Sequence, residues 1–244
     1  SVVTAAPNPI QIGGVPSTVT VTAKDAGGNP IQGASVVLSA TGTNNTIGPI
    51  SGLTDVNGQA TATYTSTSAG SHIISATING VAITNGATVT VQPGPVDAGQ
   101  STVTGPASVA AGVSATITVT ARDANGNAVP GATVILAVSP VTGNTVTQPV
   151  GTTGANGQIT GSFSSTTAES KTVTATINGT AVVDNAVVVV NPGGVSASQS
   201  LLGVSTSTIT AGGAGSLVTV TAKDASGNPI SGATVVLSAT NGGN

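Results

Sequence analysis

The residue types on which most enzymes and metal sites depend are scarce in this chain of 244 residues. It contains one histidine, no cysteine and seven acidic residues. The acidic residues are spread along the chain: Asp25, Asp55, Asp97, Asp123, Glu169, Asp184 and Asp224. A Ser-His-Asp triad needs a histidine beside its nucleophile, and glycoside hydrolysis needs two neighbouring carboxyl groups. The lone His72 and the isolated carboxyl groups therefore predict no catalytic residue and a protein that is not an enzyme.

Ligands for ions and cofactors are equally few. Calcium sites in extracellular β-proteins use clusters of acidic residues, and the proline-containing stretch 93–98 offers only Asp97. The glycine-rich stretch 27–29 suggests a phosphate cradle, but such a loop must lead into a helix, and a strand-like pattern follows it. The absence of cysteine removes thiolate ligands and disulfides. We therefore predict no metal site and no cofactor.

Composition excludes several classes of partner. Four basic residues and a net charge of −3 leave no basic surface for nucleic acid. Tyr64 and Phe163 are the only aromatic residues, too few to form a stacking platform for bases or sugars. No apolar stretch reaches the ~18–20 residues that would span a bilayer. Abundant Ser and Thr with few charges are common in secreted surface proteins, so we expect an extracellular protein without membrane insertion.

Three phrases recur along the chain at intervals of roughly 100 residues, which is the size of an autonomous domain. One phrase, of the form Ala-Lys/Arg-Asp-x-x-Gly-Asn, begins at Ala23, Ala121 and Ala222. A phrase containing Asn-Gly-Gln and the phrase Ala-Thr-Ile-Asn-Gly each occur twice. The sequence therefore predicts two complete repeats, residues 1–94 and residues 95–193, and a partial third repeat over residues 194–244.

The threefold phrase lies between two strand-like segments and is predicted to form a turn. Its Gly supplies a positive φ, and its Asp bonds the backbone that follows it. The basic residue before each Asp points to the opposite face and is expected to be solvated. We assign structural roles to the Asp, Gly and Asn of each copy: Asp25, Gly28, Asn29, Asp123, Gly126, Asn127, Asp224, Gly227 and Asn228.

Alternating apolar and hydroxyl residues, as in residues 18–23, indicate strands with one buried face. Residues 36–38 are apolar on both faces and predict a central strand with extra cover. About seven strands per repeat favour an antiparallel β-sandwich without helices. Tyr64 and Phe163 occupy equivalent positions and are expected to fill the core between the sheets. His72 and Lys171 are also equivalent, and we expect both at an exposed polar position.

Two sets of surface residues are candidates for contacts outside the fold. Residues 187–190 are all valine, whereas residues 88–91 alternate, so Val187 and Val189 are expected on an outer face. A neighbouring loop covers them, or they make a lateral contact with another chain. The triplets that begin at Asn44 and Asn178 match the N-glycosylation pattern, which makes both residues candidate acceptors.

The ordered phrases resemble those of a known family. The runs Val-Thr-Val-Thr-Ala-Lys-Asp, Gly-Asn-Pro-Ile, Gly-Ala-x-Val-Val-Leu and Thr-Asp-x-Asn-Gly-Gln-Ala, with the inward aromatic residue, are similar to the bacterial immunoglobulin-like (Ig-like) group 1 repeats of the invasin and intimin type. The resemblance covers essentially the whole chain. It implies an all-β protein of tandem Ig-like antiparallel β-sandwiches arranged end to end, in which the repeats form stalks on the bacterial surface.

Three functions remain open from the sequence. The first is the non-enzymatic shaft of an extracellular bacterial adhesin or surface filament, whose partners are further repeats, neighbouring copies and a host or surface receptor. The second is an accessory Ig-like module on a phage particle or secreted enzyme that makes weak sugar or surface contacts. The third is a self-assembling fibre in which a neighbouring chain completes the third repeat. A half-sandwich would leave four apolar residues uncovered: Val218, Val220, Val235 and Leu237.

Overall fold

The computed structural model describes residues 1–240, and every regular element among them is a β-strand. The prediction of an all-β fold with antiparallel sandwiches is confirmed. The last four residues of the predicted third repeat, 241–244, lie outside the described residues. The described chain divides into two compact units. The first comprises Ser1–Ser101, Ala121–Gly131 and Ala155–Gly157, and the second comprises Thr102–Thr120, Ala132–Gly154 and the described residues from Gln158 onward.

The first unit contains one complete sandwich. Its strands are β1 (Val2–Ala6), β2 (Ile10–Gln11), β3 (Ser17–Thr22), β4 (Val36–Ala40), β5 (Asn45–Ile47), β6 (Gln59–Ser66), β7 (Gly70–Ile78), β8 (Val81–Ala82) and β9 (Ala87–Gln92). One sheet has the order β1-β3-β6-β5, and the other has the order β2-β9-β7-β4 with β8 paired to β7. All pairs are antiparallel except β2 with β9.

The parallel pair arises because the first strand of the sandwich is divided between the two sheets. β1 pairs with β3 and ends at Ala6, and β2 begins at Ile10 beside β9. Pro7 and Pro9 lie between them. Proline has no N–H to donate to a ladder, so strand pairing stops there and resumes in the opposite sheet.

The core lies between the two sheets and follows the alternation of the sequence. Val19 and Val21 from one sheet and Ile74 and Val89 from the other are fully buried, together with Tyr64. Burial of each large apolar side chain contributes roughly 1.5–3 kcal/mol relative to exposure. The apolar side chains that recur at every second position therefore form a single layer between the two sheets.

The second unit contains a second sandwich of the same topology. Its strands are β10 (Thr102–Thr104), β11 (Ser108–Ala110), β12 (Ala115–Thr120), β13 (Val134–Ser139), β14 (Asn144–Thr147), β15 (Gln158–Ser165), β16 (Ser170–Ile177), β17 (Thr180–Ala181) and β18 (Ala186–Asn191). The sheet orders are β10-β12-β15-β14 and β11-β18-β16-β13, with β17 paired to β16. β11 and β18 form its parallel pair.

Two strands of the predicted third repeat follow in the same unit. β19 (Leu201–Val204) pairs antiparallel with β20 (Val218–Thr221), and the described residues that follow β20 contain no further strand. Val218, Val235 and Leu237 are exposed, and Val220 is half-buried. The four residues therefore lack the cover that the corresponding residues have in the complete sandwiches.

The prediction of a covered central strand at residues 36–38 is wrong. β4 stands at the end of its sheet, and its counterpart β13 has the same position in the second unit. The outward-pointing Val37 and Ile135 are 61% and 63% exposed. Their β-branched side chains suit a strand by conformational preference even on a solvated face, so apolar residues on both faces did not indicate burial on both faces.

Candidate functional site

The Asp-x-x-Gly-Asn turn has the same internal geometry in all three copies. The Asp carboxylate accepts hydrogen bonds from the backbone N–H and from the side-chain Nδ2 of the Asn four residues later. The Gly that precedes this Asn has a positive φ in each copy, a conformation that glycine adopts without strain. These φ values are 87° at Gly28, 81° at Gly126 and 87° at Gly227.

The turn of the second repeat also bonds the first repeat through the Asn127 side chain. Asn127 Nδ2 donates to the backbone O of Thr67 at 3.1 Å, and Asn127 Oδ1 accepts from the backbone N–H of Ala69 at 3.0 Å. Both partners lie in the loop that joins β6 to β7. A primary amide presents a donor and an acceptor side by side, so one side chain satisfies a C=O and an N–H of the same loop.

Asp123 holds the linker that enters the second repeat. Its Oδ2 accepts a hydrogen bond of 2.9 Å from the backbone N–H of Gly94, and the residue is only 1% exposed. A few residues further along the linker, the backbone N–H of Asp97 donates to the carbonyl of Arg122 at 2.8 Å. The turn therefore binds both the loop and the linker of the repeat that precedes it.

The same contacts, between the corresponding atoms, occur at the third copy of the turn. Asn228 Nδ2 donates to Thr166 O at 2.8 Å, and Asn228 Oδ1 accepts from Ala168 N–H at 3.0 Å. Asp224 Oδ2 accepts from Gly193 N–H at 2.8 Å and is 1% exposed. We call the Asp and Asn side chains of a turn, with the three backbone groups they bind in the preceding repeat, the inter-repeat latch.

The latch lowers the pKa of its carboxyl groups. For Asp224 the hydrogen bond from the Asn228 side chain is the largest cause, and the Gly193 N–H adds to it against the opposing effect of burial, so the pKa falls from 3.8 to about 2. For Asp123 burial is the largest influence and raises the pKa. Hydrogen bonds from Gly94 and Asn127, with others from the turn, outweigh it, and the pKa is lowered from 3.8.

The Asp224 carboxyl group is expected to titrate with a midpoint near pH 2 in the folded chain. Its folded pKa lies below the unfolded value of about 3.9. Its contribution to stability is therefore complete above pH 4 or so and is lost as the pH falls towards 2. A pH titration of the carboxyl 13C shift measures the midpoint, and Asn228→Ala should move it upward. A midpoint near 4 in the unsubstituted chain would contradict the latch geometry.

The prediction of an exposed polar position at His72 and Lys171 is wrong. His72 is 4% exposed, and its Nδ1 and Nε2 lie 2.9 Å and 3.0 Å from the carbonyl oxygens of Thr41 and Ser68. Lys171 is 0% exposed, and its Nζ donates to the carbonyls of Pro140 and Thr142. In both repeats the polar side chain is buried against loop carbonyls, and Asn45 and Asn144 donate to the Thr41 and Pro140 carbonyls as well.

The two aromatic residues are buried at equivalent places in the sandwiches. Tyr64 on β6 is 0% exposed, and Phe163 on β15 is 1% exposed. The Tyr64 hydroxyl donates to Asn45 Oδ1 at 2.6 Å. The residue that corresponds to Asn45 is Asn144, whose Oδ1 is buried without a hydrogen-bond partner among the described residues. Phe163 lacks the hydroxyl that would reach it.

The sequence phrases contained further structural residues whose roles were missed. Thr54 is 3% exposed, and its hydroxyl donates to Ile31 O and accepts from Ala34 N–H. Thr153 accepts from Ala132 N–H in the same way. These threonines stand at the same place in the two Asn-Gly-Gln phrases, so their recurrence was the available signal. In a chain rich in threonine, composition does not show which of the hydroxyl groups are buried.

Within residues 1–240 there is no group of three or more His, Cys, Asp or Glu side chains placed to hold a metal ion. The same residues contain no helix long and apolar enough to cross a membrane. What the geometry brings together is instead a set of directional hydrogen bonds between successive repeats, whose partners are main-chain atoms.

Comparison with known proteins identifies the family. The model described as bacterial Ig-like domain (group 1) matches residues 1–92 and again residues 98–191. The chain belongs to this bacterial Ig-like domain family. A comparison with curated proteins finds no match. The resemblance to the repeats of the invasin and intimin type is confirmed.

Solved structures similar to this bacterial Ig-like chain include adhesins. FdeC, an adhesin of Escherichia coli, is 28% identical with a TM-score of 0.73, over 95% of this chain and 75% of that one. InvD of Yersinia pseudotuberculosis is 25% identical with a TM-score of 0.68, over 94% and 71%. Invasin, a bacterial integrin-binding protein, is 26% identical with a TM-score of 0.55, over 96% and 49%.

The candidate contact residues of this bacterial Ig-like chain lie on its surface. Val187 and Val189 on β18 are 55% and 43% exposed, so no loop within the described residues covers them fully. Asn44 and Asn178 are exposed and have positive φ. Asn178 Oδ1 accepts from Thr133 N–H, so its amide already has a structural partner. Glycosylation and lateral contact stay predictions.

Proposed function

We propose that this chain forms part of the shaft of an extracellular bacterial adhesin or surface filament, in which the repeats supply length and stiffness and perform no catalysis. The observation that carries the proposal is the inter-repeat latch. It occurs at both junctions with the same atoms, and each copy uses the turn of one repeat to bind the loop and linker of the repeat before it.

The latch has the properties that a stiff shaft needs. Three hydrogen bonds to main-chain atoms hold the turn of one repeat to the loop and linker that precede it, and two of them involve a single planar amide. The linkers add Pro93, Pro95 and Pro192, whose fixed φ restricts bending. The contacts depend little on side chains of the preceding repeat, so successive repeats can diverge in sequence and keep the same junction.

The similarity to FdeC and to invasin favours the bacterial surface as the location. By analogy with integrin-binding invasin, we propose that the complete protein has a host or surface receptor. We retain residues 1–94, 95–193 and 194–244 as the proposed repeat boundaries. The exposed pair Val187 and Val189 is the surface that we propose for lateral contact between neighbouring copies in a filament.

Asn127→Ala is expected to loosen the first junction while both sandwiches stay folded. It removes the hydrogen bonds to Thr67 and Ala69 together with the bond from Asn127 Nδ2 to Asp123, and it should lower the free energy of unfolding by about 1–3 kcal/mol. Residual dipolar couplings should fit one common alignment tensor for residues 1–94 and 95–193 in the unsubstituted chain, and two different tensors in the variant.

Asn125→Ala is the matched control because Asn125 lies in the same turn and is exposed. It should leave the couplings unchanged. Independent tensors in the unsubstituted chain would refute the stiff shaft. Antibodies against residues 95–193 test the location separately: they should label intact cells, and a signal that appears only after lysis would refute the surface assignment.

A further inference from the structure

The turn of the first repeat has the latch side chains, and the described residues include no repeat ahead of it for them to bind. Asn29 Oδ1 meets no hydrogen-bond donor within residues 1–240, and Asp25 Oδ2 meets only Asn29 Nδ2, at 3.0 Å. The corresponding oxygens of Asn127, Asp123, Asn228 and Asp224 all accept a backbone N–H from the preceding repeat. Asp25 and Asn29 are correspondingly exposed, whereas Asp123 and Asp224 are buried.

The unpaired turn nevertheless has the geometry of the paired ones. Asp25 Oδ1 accepts from Asn29 N–H at 2.8 Å, against 2.9 Å in each of the other copies. Asp25 Oδ2 accepts from Asn29 Nδ2, as Asp224 Oδ2 does from Asn228 Nδ2. The amide of Asn29 is therefore already oriented by its own turn, and binding would need little further ordering of this side chain.

The first repeat also contains the pair of hydrogen bonds that, in the other two repeats, lies directly after the linker. In the second repeat Ser101 Oγ donates to Arg122 O at 3.3 Å and accepts from Arg122 N–H at 3.1 Å. Ser200 makes the same pair of bonds with Lys223, and Ser1 makes it with Lys24 at 3.2 Å and 2.9 Å. Ser1 thus holds the position that follows the linker in the other two repeats.

We propose that the Asp25–Asn29 turn is a docking surface for another Ig-like repeat of this kind. The occupant is the loop equivalent to residues 66–70 together with the Pro-Gly linker equivalent to Pro93 and Gly94. Asn29 binds one C=O and one N–H of the loop, and the Asp25 carboxylate accepts a hydrogen bond from the N–H of the linker glycine. The surface recognises main-chain groups held at a fixed spacing by a loop that joins strands of opposite sheets, which an unstructured peptide or a sugar does not present.

The inference is independent of where the protein works, because it concerns only how one repeat binds the next. It applies equally to a shaft on a cell and to any other array of these domains. A negative result in the labelling of intact cells would therefore leave this inference intact. A negative result in the experiment below would leave the proposed surface location intact.

The test adds one repeat to the chain of 244 residues. A second copy of residues 1–100 is fused in front of Ser1, which creates a Gln-Ser junction identical to Gln100–Ser101 and Gln199–Ser200. Hydrogen exchange of the Ala69 amide is then measured in the added copy. The amide should exchange about tenfold or more slowly than in the same extended chain with Asn29→Ala in the repeat that follows the added copy. That variant lacks the side-chain oxygen that accepts the hydrogen bond of this amide.

Thermal unfolding gives a second reading of the same contact. In the chain of 244 residues, Asn29→Ala should shift the melting temperature less than Asn127→Ala does. In the extended chain the two substitutions should have equal effects. An Ala69 amide of the added copy that exchanges as freely as the neighbouring exposed amides, in an extended chain without substitutions, would overturn the proposal even if Asn29→Ala failed to fold. An effect of Asn29→Ala that is the same in both chains would also overturn it.

Discussion

Phe163→Ala is expected to lower the free energy of unfolding of the second sandwich by about 3–5 kcal/mol. Phe163 is 1% exposed and lies on β15, paired with Ala115 on β12 and with Val146 on β14. Removal of the ring leaves a cavity that small neighbours such as alanine cannot close. Denaturant unfolding followed by amide signals of residues 158–177 measures the loss in this sandwich. An unchanged unfolding curve would refute the role of the ring in the core.

Two matched variants make the result specific. Val150→Ala alters a side chain that is 93% exposed and should change stability by less than about 0.5 kcal/mol. Phe163→Tyr should instead stabilise the sandwich by about 1 kcal/mol. The new hydroxyl would reach the unpartnered Asn144 Oδ1, as the Tyr64 hydroxyl reaches Asn45 Oδ1 in the first sandwich. Destabilisation by Tyr would mean that the site cannot admit the extra oxygen.

The sandwiches themselves could be predicted because local patterns determine them. Alternation of apolar and hydroxyl residues gives the face of each strand, and the recurring Asp, Gly and Asn give the turn between two of them. The phrases also align Tyr64 with Phe163 before any contact is known. The division of the first strand between two sheets could not be predicted, because it depends on which strand accepts Ile10 after Pro7 and Pro9.

The candidate site was harder to predict because it is made by tertiary contacts. Nothing in the turn sequence reveals that Asn127 binds Thr67, roughly 60 residues earlier. The threefold recurrence of the turn residues is fully explained by a local turn, so it does not indicate a contact with the preceding repeat. Lys171 and His72 were misjudged because a charged or polar residue at a strand end usually faces solvent. Their burial depends on carbonyl groups in a loop about 30 residues away.

Lys171→Met is expected to destabilise the second sandwich by about 2–4 kcal/mol. Lys171 Nζ donates to Pro140 O at 3.0 Å, to Thr142 O at 2.8 Å and to Glu169 Oε1 at 2.6 Å, which uses all three of its hydrogens. Methionine fills a similar volume but has no donor. The Thr142 carbonyl would then lose the donor that Lys171 supplies, and the Pro140 carbonyl would keep only Asn144 Nδ2. Chemical denaturation of the chain of 244 residues measures the loss.

Substitution of Glu169 separates the two components of this interaction. The Glu169 side chain is 35% exposed, so its ion pair with Lys171 is screened by solvent and contributes little. Glu169→Gln should therefore cost less than about 1 kcal/mol, because the carbonyls of Pro140 and Thr142 keep their donor. An equal loss in Glu169→Gln and Lys171→Met would attribute the stability to the ion pair. A larger loss in Lys171→Met would show that the buried lysine fixes the loop between β13 and β14, as His72 does with its own loop between β4 and β5.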